Sequence, residues 1–218
     1  MADNDFIPPT PSAEHYAVGE DQGDVFTQSD PTDLFREWFI LAKATEPNDA
    51  NAMSLATIDG TGLPDVRVVL MKDFNERGIS FFTNSTSAKG RQIAANKWGA
   101  ICFHWKSIRR QVRFRGEIQQ VTAAEADAYF ATRARGAQIG AWASDQSMAM
   151  PDTDALSRRV AKLEEDYDGK EVPRPPQWTG YRLPPSSIEF WVNRPYRLHD
   201  RLVFKRSGAD WETSWLYP

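Results

Sequence analysis

The run from Arg197 to Arg201 combines residue types that suit a flat, electron-rich or anionic ligand. In an extended segment side chains alternate between faces, so Arg197, His199 and Arg201 share one face while Leu198 lies on the other. Guanidinium groups are planar donors that match the oxygens of carboxylates and phosphates. The alternative is a solvated edge strand whose arginines pair with Asp200 or Glu189.

Arg67 and Lys72 lie at the two ends of a second apolar run. A regular strand gives them opposite parity, so they face different sides unless the strand bulges or ends before Lys72. The simpler functional interpretation is that the two charges serve two ligands, or two parts of one site. The alternative is a buried strand with two solvated ends.

Three further groups could bind anions or heterocycles. The polar loop from Thr83 to Ser87 leads into a helix whose unpaired N–H groups favour phosphate, and Lys89 adds a charge there. Tyr129 and Arg133 are spaced i and i+4, so one helix face can present both to an anion. Gln111 offers a donor and an acceptor to the edge of a heterocycle. Simple helix capping and a solvated arginine beside a half-buried tyrosine remain alternatives.

The sequence lacks the motifs of metal sites, serine hydrolases and P-loop proteins. His15, His104, His199 and Cys102 are scattered without the spacing of metal ligands, so no metal site is expected. The sequence contains neither a G-x-S-x-G motif nor a phosphate-binding P-loop. A set of side chains rich in Arg, Lys, Tyr and Gln but poor in acid–base pairs indicates a reactive organic cofactor that supplies the chemistry.

The composition indicates a globular chain. Its 218 residues, 41% of them hydrophobic, suit one large domain or two small ones. No apolar run approaches the roughly 18 residues needed to cross a bilayer, so no membrane partner is expected. The acidic first residues lack the apolar stretch of a secretory signal. Cys102 is the only cysteine, which excludes an internal disulfide and favours a cytoplasmic location.

Charge is distributed unevenly along the chain. The first 35 residues contain eight acidic residues and no Lys or Arg, so the remainder is mildly basic although the net charge is −4. This balance favours phosphorylated small molecules as ligands and is too weak to indicate nucleic acid. Residues 1–29 are predicted to form a flexible acidic arm and residues 30–218 the folded domain.

Strands outnumber helices in the expected secondary structure. A helix is predicted to begin with Asp30 as N-cap and Pro31 as first residue, and to end near Pro47. Further helices are predicted over 88–96, 122–133 and 155–167. Strands are predicted over 52–58, 66–71, 78–83, 100–105, 111–121, 180–183, 188–192, 201–205 and 211–216. Because no regular βαβ rhythm links them, we expect a mainly β, α+β fold: a largely antiparallel barrel with peripheral helices.

Several motifs together carry a family resemblance. They are the runs Arg67 to Lys72, Phe82 to Asn84, Arg110 to Val112, Gln138 to Trp142, Gln146 to Ser147, Ile188 to Trp191 and Arg197 to Arg201. In this order, over about residues 30–218, the chain resembles pyridoxine (pyridoxamine) 5′-phosphate oxidases. The resemblance implies an FMN-binding split β-barrel that forms a homodimer with FMN between the subunits. It also implies oxidation of pyridoxine or pyridoxamine 5′-phosphate to pyridoxal 5′-phosphate by dioxygen, which is reduced to hydrogen peroxide.

The same resemblance implies roles for individual residues. Arg67, Lys89 and Ser147 would hold the FMN phosphate. The rest of the flavin would be held by Val68, Val69, Leu70, Met71, Lys72, Phe82, Thr83, Gln111, Gln146, Trp191 and Arg201. The substrate site would consist of Lys72, Tyr129, Arg133, Ala137, Arg197, Leu198 and His199. Within it, Arg197 and His199 would be the catalytic residues, lying over the pyridine ring to orient it and stabilise charge.

Three positions depart from the family pattern. Ala88 replaces the usual arginine before the phosphate-binding lysine, and Ala137 replaces a common serine in the substrate-phosphate cluster. Glu14, His15 and Tyr16 stand where the family often has arginine and tyrosine that close over the substrate. These changes keep two alternatives open: a related split-barrel flavin oxidase with another substrate, such as a phenazine precursor, and a non-catalytic flavin or pyridoxal-phosphate binding protein.

Overall fold

Two antiparallel sheets carry most of the candidate residues. The computed structural model describes residues 22–218. Its strands are β1 Ala52–Ile58, β2 Pro64–Leu70, β3 Asp73–Asn75, β4 Gly78–Asn84, β5 Trp98–Trp105, β6 Arg110–Glu117, β7 Gln119–Gln120, β8 Trp178–Leu183, β9 Ser187–Val192, β10 Asp200–Ser207 and β11 Asp210–Trp215. Its helices are α1 Pro31–Thr45, α2 Ala88–Ala95, α3 Ala123–Ala131, α4 Arg135–Ala143 and α5 Ala155–Asp166.

The larger sheet has seven strands in the order β11-β10-β9-β6-β5-β1-β2, and the smaller has four in the order β3-β4-β8-β7. All strand pairs are antiparallel. The five helices are peripheral to these sheets. The predicted fold class, mainly β and antiparallel with peripheral helices, is confirmed.

Alternation along the strands gives the larger sheet a buried inner face and an opposite outer face. Ile101, Phe103, Val112 and Phe114 are fully buried, and the residues between them point the other way. Helix α1 covers the inner face with Phe35, whose ring lies 5.2 Å from Phe103 and 5.0 Å from Phe114 between centroids. Burying a side chain of this size stabilises the fold by about 1.5–3 kcal/mol.

Two helix starts agree with the expected capping. The Asp30 carboxylate accepts hydrogen bonds from the backbone N–H groups of Thr32 and Asp33, at 2.7 and 3.2 Å. At α3, Thr122 and Glu125 form a reciprocal capping box, with distances of 3.0 and 3.2 Å to the backbone nitrogens. Both caps satisfy N–H groups that the first helical turn leaves unpaired.

The predicted long strand over 111–121 is wrong in one respect, because it is two strands in different sheets. The chain leaves β6 at Glu117, and β7 then pairs with β8 in the smaller sheet. Gly116 stands at this crossing, where an added Cβ would come within 2.1 Å of the Pro184 carbonyl oxygen. The close approach of two backbones therefore requires glycine and redirects the strand.

The extended conformation considered for Arg197 to Arg201 does not hold before Asp200. Residues Pro195–Arg197 form a 3-10 turn, and β10 begins only at Asp200. Tyr196 and Arg197 both have positive φ angles, of 56° and 61°, a conformation uncommon outside glycine. Proline fixes the entry to this turn, so alternation applies from Asp200 onward and not before it.

Sequence patterns did not predict helix α4. Its N-cap residue, Ala134, makes no side-chain capping bond, and the helix contains Gly136 and Gly140, which have low helix propensity. Upstream, the described part of the predicted arm packs on the core: Val25 is buried, and its carbonyl accepts the Trp38 indole N–H at 3.0 Å. The domain boundary at residue 30 stays a prediction.

Candidate active site

A cationic cluster forms where α2 meets β2 and β4. We define it as Arg67, Thr83, Lys89 and Gln146. Lys89 is only 9% exposed, and its Nζ donates to Thr83 Oγ1 at 3.3 Å and Gln146 Oε1 at 3.2 Å. Burial lowers the pKa of Lys89, and the charge of Arg67 lowers it further, while Asp65 opposes the shift. An anion placed here would replace neutral partners with a charge-matched one.

Arg67 is held by the strand beside it and by α2. One terminal nitrogen donates to the Leu55 carbonyl at 3.2 Å and to the Thr57 hydroxyl. The other donates to Asp65 Oδ2 at 2.6 Å and Gln92 Oε1 at 2.7 Å. The guanidinium therefore has one fixed orientation at the edge of the sheet, next to Lys89.

Local packing sets the position of Lys89 in the first turn of α2. Ser87 is the N-cap and accepts from the Gly90 N–H at 3.3 Å. A Cβ on Gly90 would meet the Ser85 carbonyl oxygen at 2.2 Å, so the helix start lies against the polar loop. The loop thus brings a helix N-terminus and an ammonium group together, as the sequence predicted.

An aromatic stack is formed by Phe82 of β4, Tyr129 of α3 and Trp178 of β8. The rings of Phe82 and Tyr129 are 4.0 Å apart and nearly parallel, and Trp178 stacks on Phe82 at 5.3 Å. The Arg133 guanidinium lies 4.9 Å from the centre of the Trp178 ring. The structure therefore brings Tyr129 and Arg133 to the same aromatic surface, although α3 ends at Ala131, before Arg133.

The Arg133 guanidinium has an unused hydrogen-bond donor among the described residues. Its buried NH1 nitrogen has no hydrogen-bond partner within residues 22–218, and burial lowers the pKa of the group. A buried donor without an acceptor costs about 1–3 kcal/mol. An anionic oxygen of a ligand would remove that cost. Ala137, in α4, is exposed nearby in the chain and supplies no hydroxyl.

An outer-face cluster contains Gln111, Trp191, His199 and Arg201. Gln111 pairs with Trp191, and Trp191 pairs with Arg201, so the three form one row across β6, β9 and β10. The His199 ring lies 4.5 Å from the Trp191 ring. His199 and Arg201 thus lie together, as predicted. They do so because both neighbour Trp191, and not because they alternate along one extended strand.

Backbone contacts fix the tautomer of His199. Its Nδ1 accepts the Arg194 backbone N–H at 3.2 Å, so the neutral ring carries its proton on Nε2. Burial lowers the pKa of His199, Arg197 adds to the decrease, and Asp200 opposes it. The ring is therefore arranged as a neutral Nε2–H donor.

Glu189 organises the arginines of the outer face. It is 8% exposed and accepts Arg201 Nε at 2.9 Å while also contacting Arg113. Arg201 donates in addition to the Tyr217 carbonyl at 2.9 Å. The alternative interpretation, pairing of these arginines with Glu189, is thus correct for Arg201, but β10 is an inner strand of the sheet and not an edge.

The remaining predicted residues lie at the margins. Lys72 follows the end of β2 and is exposed. It lines a cavity of about 770 Å³ together with Phe35, Phe39 and Lys43. Ser147 lies in an exposed loop with a φ of 71°, and Leu198 is 67% exposed. None of the described contacts of Lys72 joins it to Tyr129 or Arg133, so its two predicted roles stay predictions.

The cationic cluster and the outer-face cluster lie on opposite sides of the larger sheet. Arg67 pairs with Leu55, which pairs with Ile101 on the inner face, whereas Trp191 alternates with the inward Phe190. Arg67 and Arg201 are five strands apart, or roughly 24 Å at about 4.8 Å per strand. One chain therefore does not bring both clusters to a single small ligand.

Sequence reasoning missed the residues that hold these groups. Thr57, Asp65 and Gln92 fix Arg67, and Trp178 supports Arg133. Asp65 could have been found from its i, i+2 spacing to Arg67 on one strand face. The others come from distant elements and left no local signal. Within residues 22–218, no group of three or more His, Cys, Asp or Glu side chains could hold a metal ion, and no helix could span a membrane.

The two antiparallel sheets and their peripheral helices are those of a split-barrel protein. Residues 42–166 match the family model described as pyridoxamine 5′-phosphate oxidase. Residues 178–218 match the model of the pyridoxine 5′-phosphate oxidase C-terminal dimerisation region. The chain belongs to the pyridoxamine 5′-phosphate oxidase family and is an oxidoreductase of that family.

Individual relatives cover nearly the whole chain. A pyridoxine/pyridoxamine 5′-phosphate oxidase of Azorhizobium caulinodans is 56% identical over 198 residues, which is 90% of this chain and 93% of the relative. One from Caulobacter vibrioides is 51% identical over 220 residues, covering 100% and 99%. PhzG of Burkholderia lata 383, solved with tetrahydrophenazine-1-carboxylic acid, has a TM-score of 0.83 at 33% identity and covers 88% of this chain and 94% of its own.

A more distant structure shares the fold alone. An FMN-binding protein of Nostoc punctiforme, related to pyridoxamine 5′-phosphate oxidase, has a TM-score of 0.70 at 18% identity. It covers 88% of this chain and 100% of its own. The split-barrel architecture therefore extends well beyond the relatives of similar sequence.

Proposed function

We propose that the protein binds FMN and oxidises pyridoxamine or pyridoxine 5′-phosphate to pyridoxal 5′-phosphate. The observation that carries this proposal is the buried Lys89 ammonium, whose hydrogen bonds within residues 22–218 all go to uncharged oxygens beside Arg67. A phosphate ester would bring negative charge to these two cations and accept strong hydrogen bonds from them. The names of relatives that are 51–56% identical support the choice of substrate.

The cationic cluster fits the phosphate of FMN. Arg67, Lys89 and Ser147 would bind it, and the N-terminus of α2 would add backbone N–H groups. The flavin itself would lie against the residues predicted for it on β2, β4 and the outer face, namely Val68 to Lys72, Phe82, Thr83, Gln111, Gln146, Trp191 and Arg201. FMN would supply the redox chemistry here: two electrons and two protons from the 4′ carbon and its hydroxyl or amino group would pass to dioxygen and give hydrogen peroxide. With pyridoxamine 5′-phosphate, water would hydrolyse the resulting imine to the aldehyde and release ammonia.

A second anion site serves the substrate. Arg133 NH1, which has no hydrogen-bond partner among the described residues, and the stacked Tyr129 would bind the substrate phosphate, with Lys72 as a further cation. Arg197 and His199 would orient the pyridine ring. Because Nδ1 of His199 accepts a backbone hydrogen bond, its Nε2–H would donate to the substrate, and neither residue need act as a base. Holding two rings in reactive contact is the main contribution of the protein.

We infer that the complete site needs two subunits. Arg67 and Trp191 lie on opposite faces of one sheet, and residues 178–218 match a dimerisation region. Val66 and Val68, 64% and 66% exposed in one chain, would be covered by a second copy. The proposed homodimer therefore places FMN between the cationic cluster of one subunit and the outer-face cluster of the other. A cytoplasmic location is proposed from the single cysteine.

The absorbance spectrum and turnover of the purified protein test this proposal. We expect a yellow protein with a flavin spectrum that converts pyridoxamine 5′-phosphate to an aldehyde and consumes oxygen. A flavin-loaded protein without this turnover would show that the substrate assignment is wrong. A protein that binds no flavin would overturn the proposal as a whole.

A phenazine-type flavin oxidase is the second candidate, favoured by the PhzG structure and by the missing hydroxyl at Ala137. Arg133 and Tyr129 argue against it, because a substrate without phosphate would not need them. Comparing turnover of pyridoxamine with that of its 5′-phosphate discriminates the two functions. Faster turnover of the unphosphorylated compound would favour the second candidate.

A further inference from the structure

Asp65 makes the one carboxylate contact to the cationic cluster among the described residues. Its Oδ2 accepts Arg67 NH2 at 2.6 Å and Gln92 Nε2 at 2.9 Å. The hydrogen bond from Gln92 lowers the pKa of Asp65, and the charge of Arg67 lowers it further. The carboxylate is therefore ionised at neutral pH, at the point where an incoming anion would meet Arg67.

Arg67 does not depend on Asp65 for its orientation. The Leu55 carbonyl, the buried Thr57 hydroxyl and Gln92 Oε1 hold the same guanidinium from the sheet and from α2. The Arg67 side chain is 18% exposed, whereas that of Asp65 is 49% exposed. The inner partners thus position the cation, and Asp65 adds mainly a negative charge on the solvent side.

We propose that Asp65 is an internal counter-ion that weakens binding of the cofactor phosphate by the cationic cluster. It reduces the charge of the group formed with Arg67 and Lys89 from two positive charges to one. A phosphate must then approach against a fixed carboxylate and share Arg67 with it. This inference deepens the proposed function and rests on it, since it takes Arg67 and Lys89 as the FMN phosphate site.

The opposite expectation is that Asp65 positions Arg67, in which case its loss would weaken phosphate binding. Asparagine separates the two roles. In Asp65→Asn the side chain keeps its size and one oxygen acceptor for Arg67 or Gln92, and only the charge is removed. The sign of the change in affinity therefore identifies the role.

Flavin binding to the full-length protein stripped of its cofactor provides the test. Quenching of flavin fluorescence would give Kd for FMN and for riboflavin, which lacks the phosphate. For Asp65→Asn we expect FMN to bind about fivefold more tightly, the upper range for a partly exposed charge pair. Riboflavin binding should not change, and the gain for FMN should shrink at high salt.

Glu164→Gln is the matched control. It removes one negative charge from exposed α5 at a side chain that makes no described hydrogen bond or ion pair with the cationic cluster, and it should leave the Kd for FMN unchanged. Unchanged or weaker FMN binding by Asp65→Asn would overturn the inference. Equal tightening for FMN and riboflavin would also overturn it, because the effect would not concern phosphate. A parent protein that binds neither flavin would reject the proposed function, and this inference with it.

Discussion

The cationic cluster and the outer-face cluster both rely on positive side chains, but they balance those charges differently. In the cationic cluster, Lys89 is buried against neutral oxygens, and the carboxylate on Arg67 is half exposed. On the outer face, Arg201 and Arg113 share the buried Glu189. The first arrangement leaves positive charge for a ligand, whereas the second uses charge to fix the direction of side chains.

This difference suits the two clusters to two roles, anion binding and the orientation of side chains. A group that must bind a phosphate needs uncompensated charge, and the Lys89 ammonium lies against neutral oxygens. Burial and the charge of Arg67 lower its pKa there. A group that must present a planar surface needs rigid orientation, which Glu189 and Asp200 provide through Arg201 and Arg194. The proposed roles in binding and in positioning thus fall to different faces of one sheet.

Substituting one arginine from each region should separate these functions most clearly. We expect Arg197→Ala to lower turnover about a hundredfold, since misplacing a reacting ring has effects of this size, while flavin stays bound. Arg67→Ala should instead weaken FMN binding by about tenfold or more, the value of a charged hydrogen bond. Turnover at saturating FMN and flavin titration measure the two effects. Equal loss of both properties in both variants would contradict the assigned roles.

Mixing these two variants tests whether the clusters act across subunits. If each site combines Arg67 of one subunit with Arg197 of the other, a hybrid dimer has one intact site and one doubly defective site. At an FMN concentration that loads the parent but not Arg67→Ala, random exchange of subunits should then restore about a quarter of the parent activity, because half of the dimers are hybrids. Turnover before and after co-refolding of equal amounts is the measurement. Activity that stays at the level of the single variants would place both clusters in one subunit's site.

Sequence patterns predicted local features of the fold and site well. The Asp30 cap, the Thr122 capping box and the polar loop that leads into α2 depend on neighbours in the chain, and the structure has them. The different sides of Arg67 and Trp191 depend on register across several strands. That register is set by packing of the whole sheet, so no local pattern contained it.

The errors have the same origin. The turn at Tyr196 and Arg197 requires two positive φ angles in residues that rarely adopt them. Helix α4 forms without a capping side chain and with two glycines, so its tertiary contacts outweigh its propensity. The role of Gln92 depends on the placement of α2, because its partner Arg67 is 25 residues away in the chain. The pairing of Glu189 with Arg201, by contrast, is among the predicted alternatives.

Removing the charge of Glu189 should have a smaller effect than the arginine substitutions. Glu189→Gln leaves Arg201 and Arg113 without their shared carboxylate. We expect a loss of about 1–2 kcal/mol in the free energy of unfolding, reduced from the usual cost for a buried pair because both arginines are partly exposed. Urea unfolding at fixed protein concentration measures it. Asp152→Asn, which breaks an exposed pair with Arg158, is the control and should change little.

The pH dependence of turnover tests whether His199 acts as a neutral donor in the outer-face cluster. Burial and Arg197 lower its pKa from the usual 6.5, so protonation is disfavoured in the folded protein. We therefore expect turnover to stay constant as pH falls through 6.5 and to decline only at lower pH, where His199 becomes charged. Turnover at saturating substrate between pH 5 and 8 measures this limb. A decline centred at or above 6.5 would contradict a neutral Nε2–H donor.

Two substitutions of opposite sign distinguish charge from rearrangement at His199. Arg197→Met removes a positive charge and should raise the pKa of His199, whereas Asp200→Asn removes a negative charge and should lower it. NMR titration of the imidazole in the flavin-loaded protein measures both shifts. If both variants moved the pKa in the same direction, the turn at Pro195–Arg197 would have changed shape, since both substitutions alter contacts beside it. Opposite shifts would show that the outer face tunes its imidazole by charge while the backbone of Arg194 holds it in place.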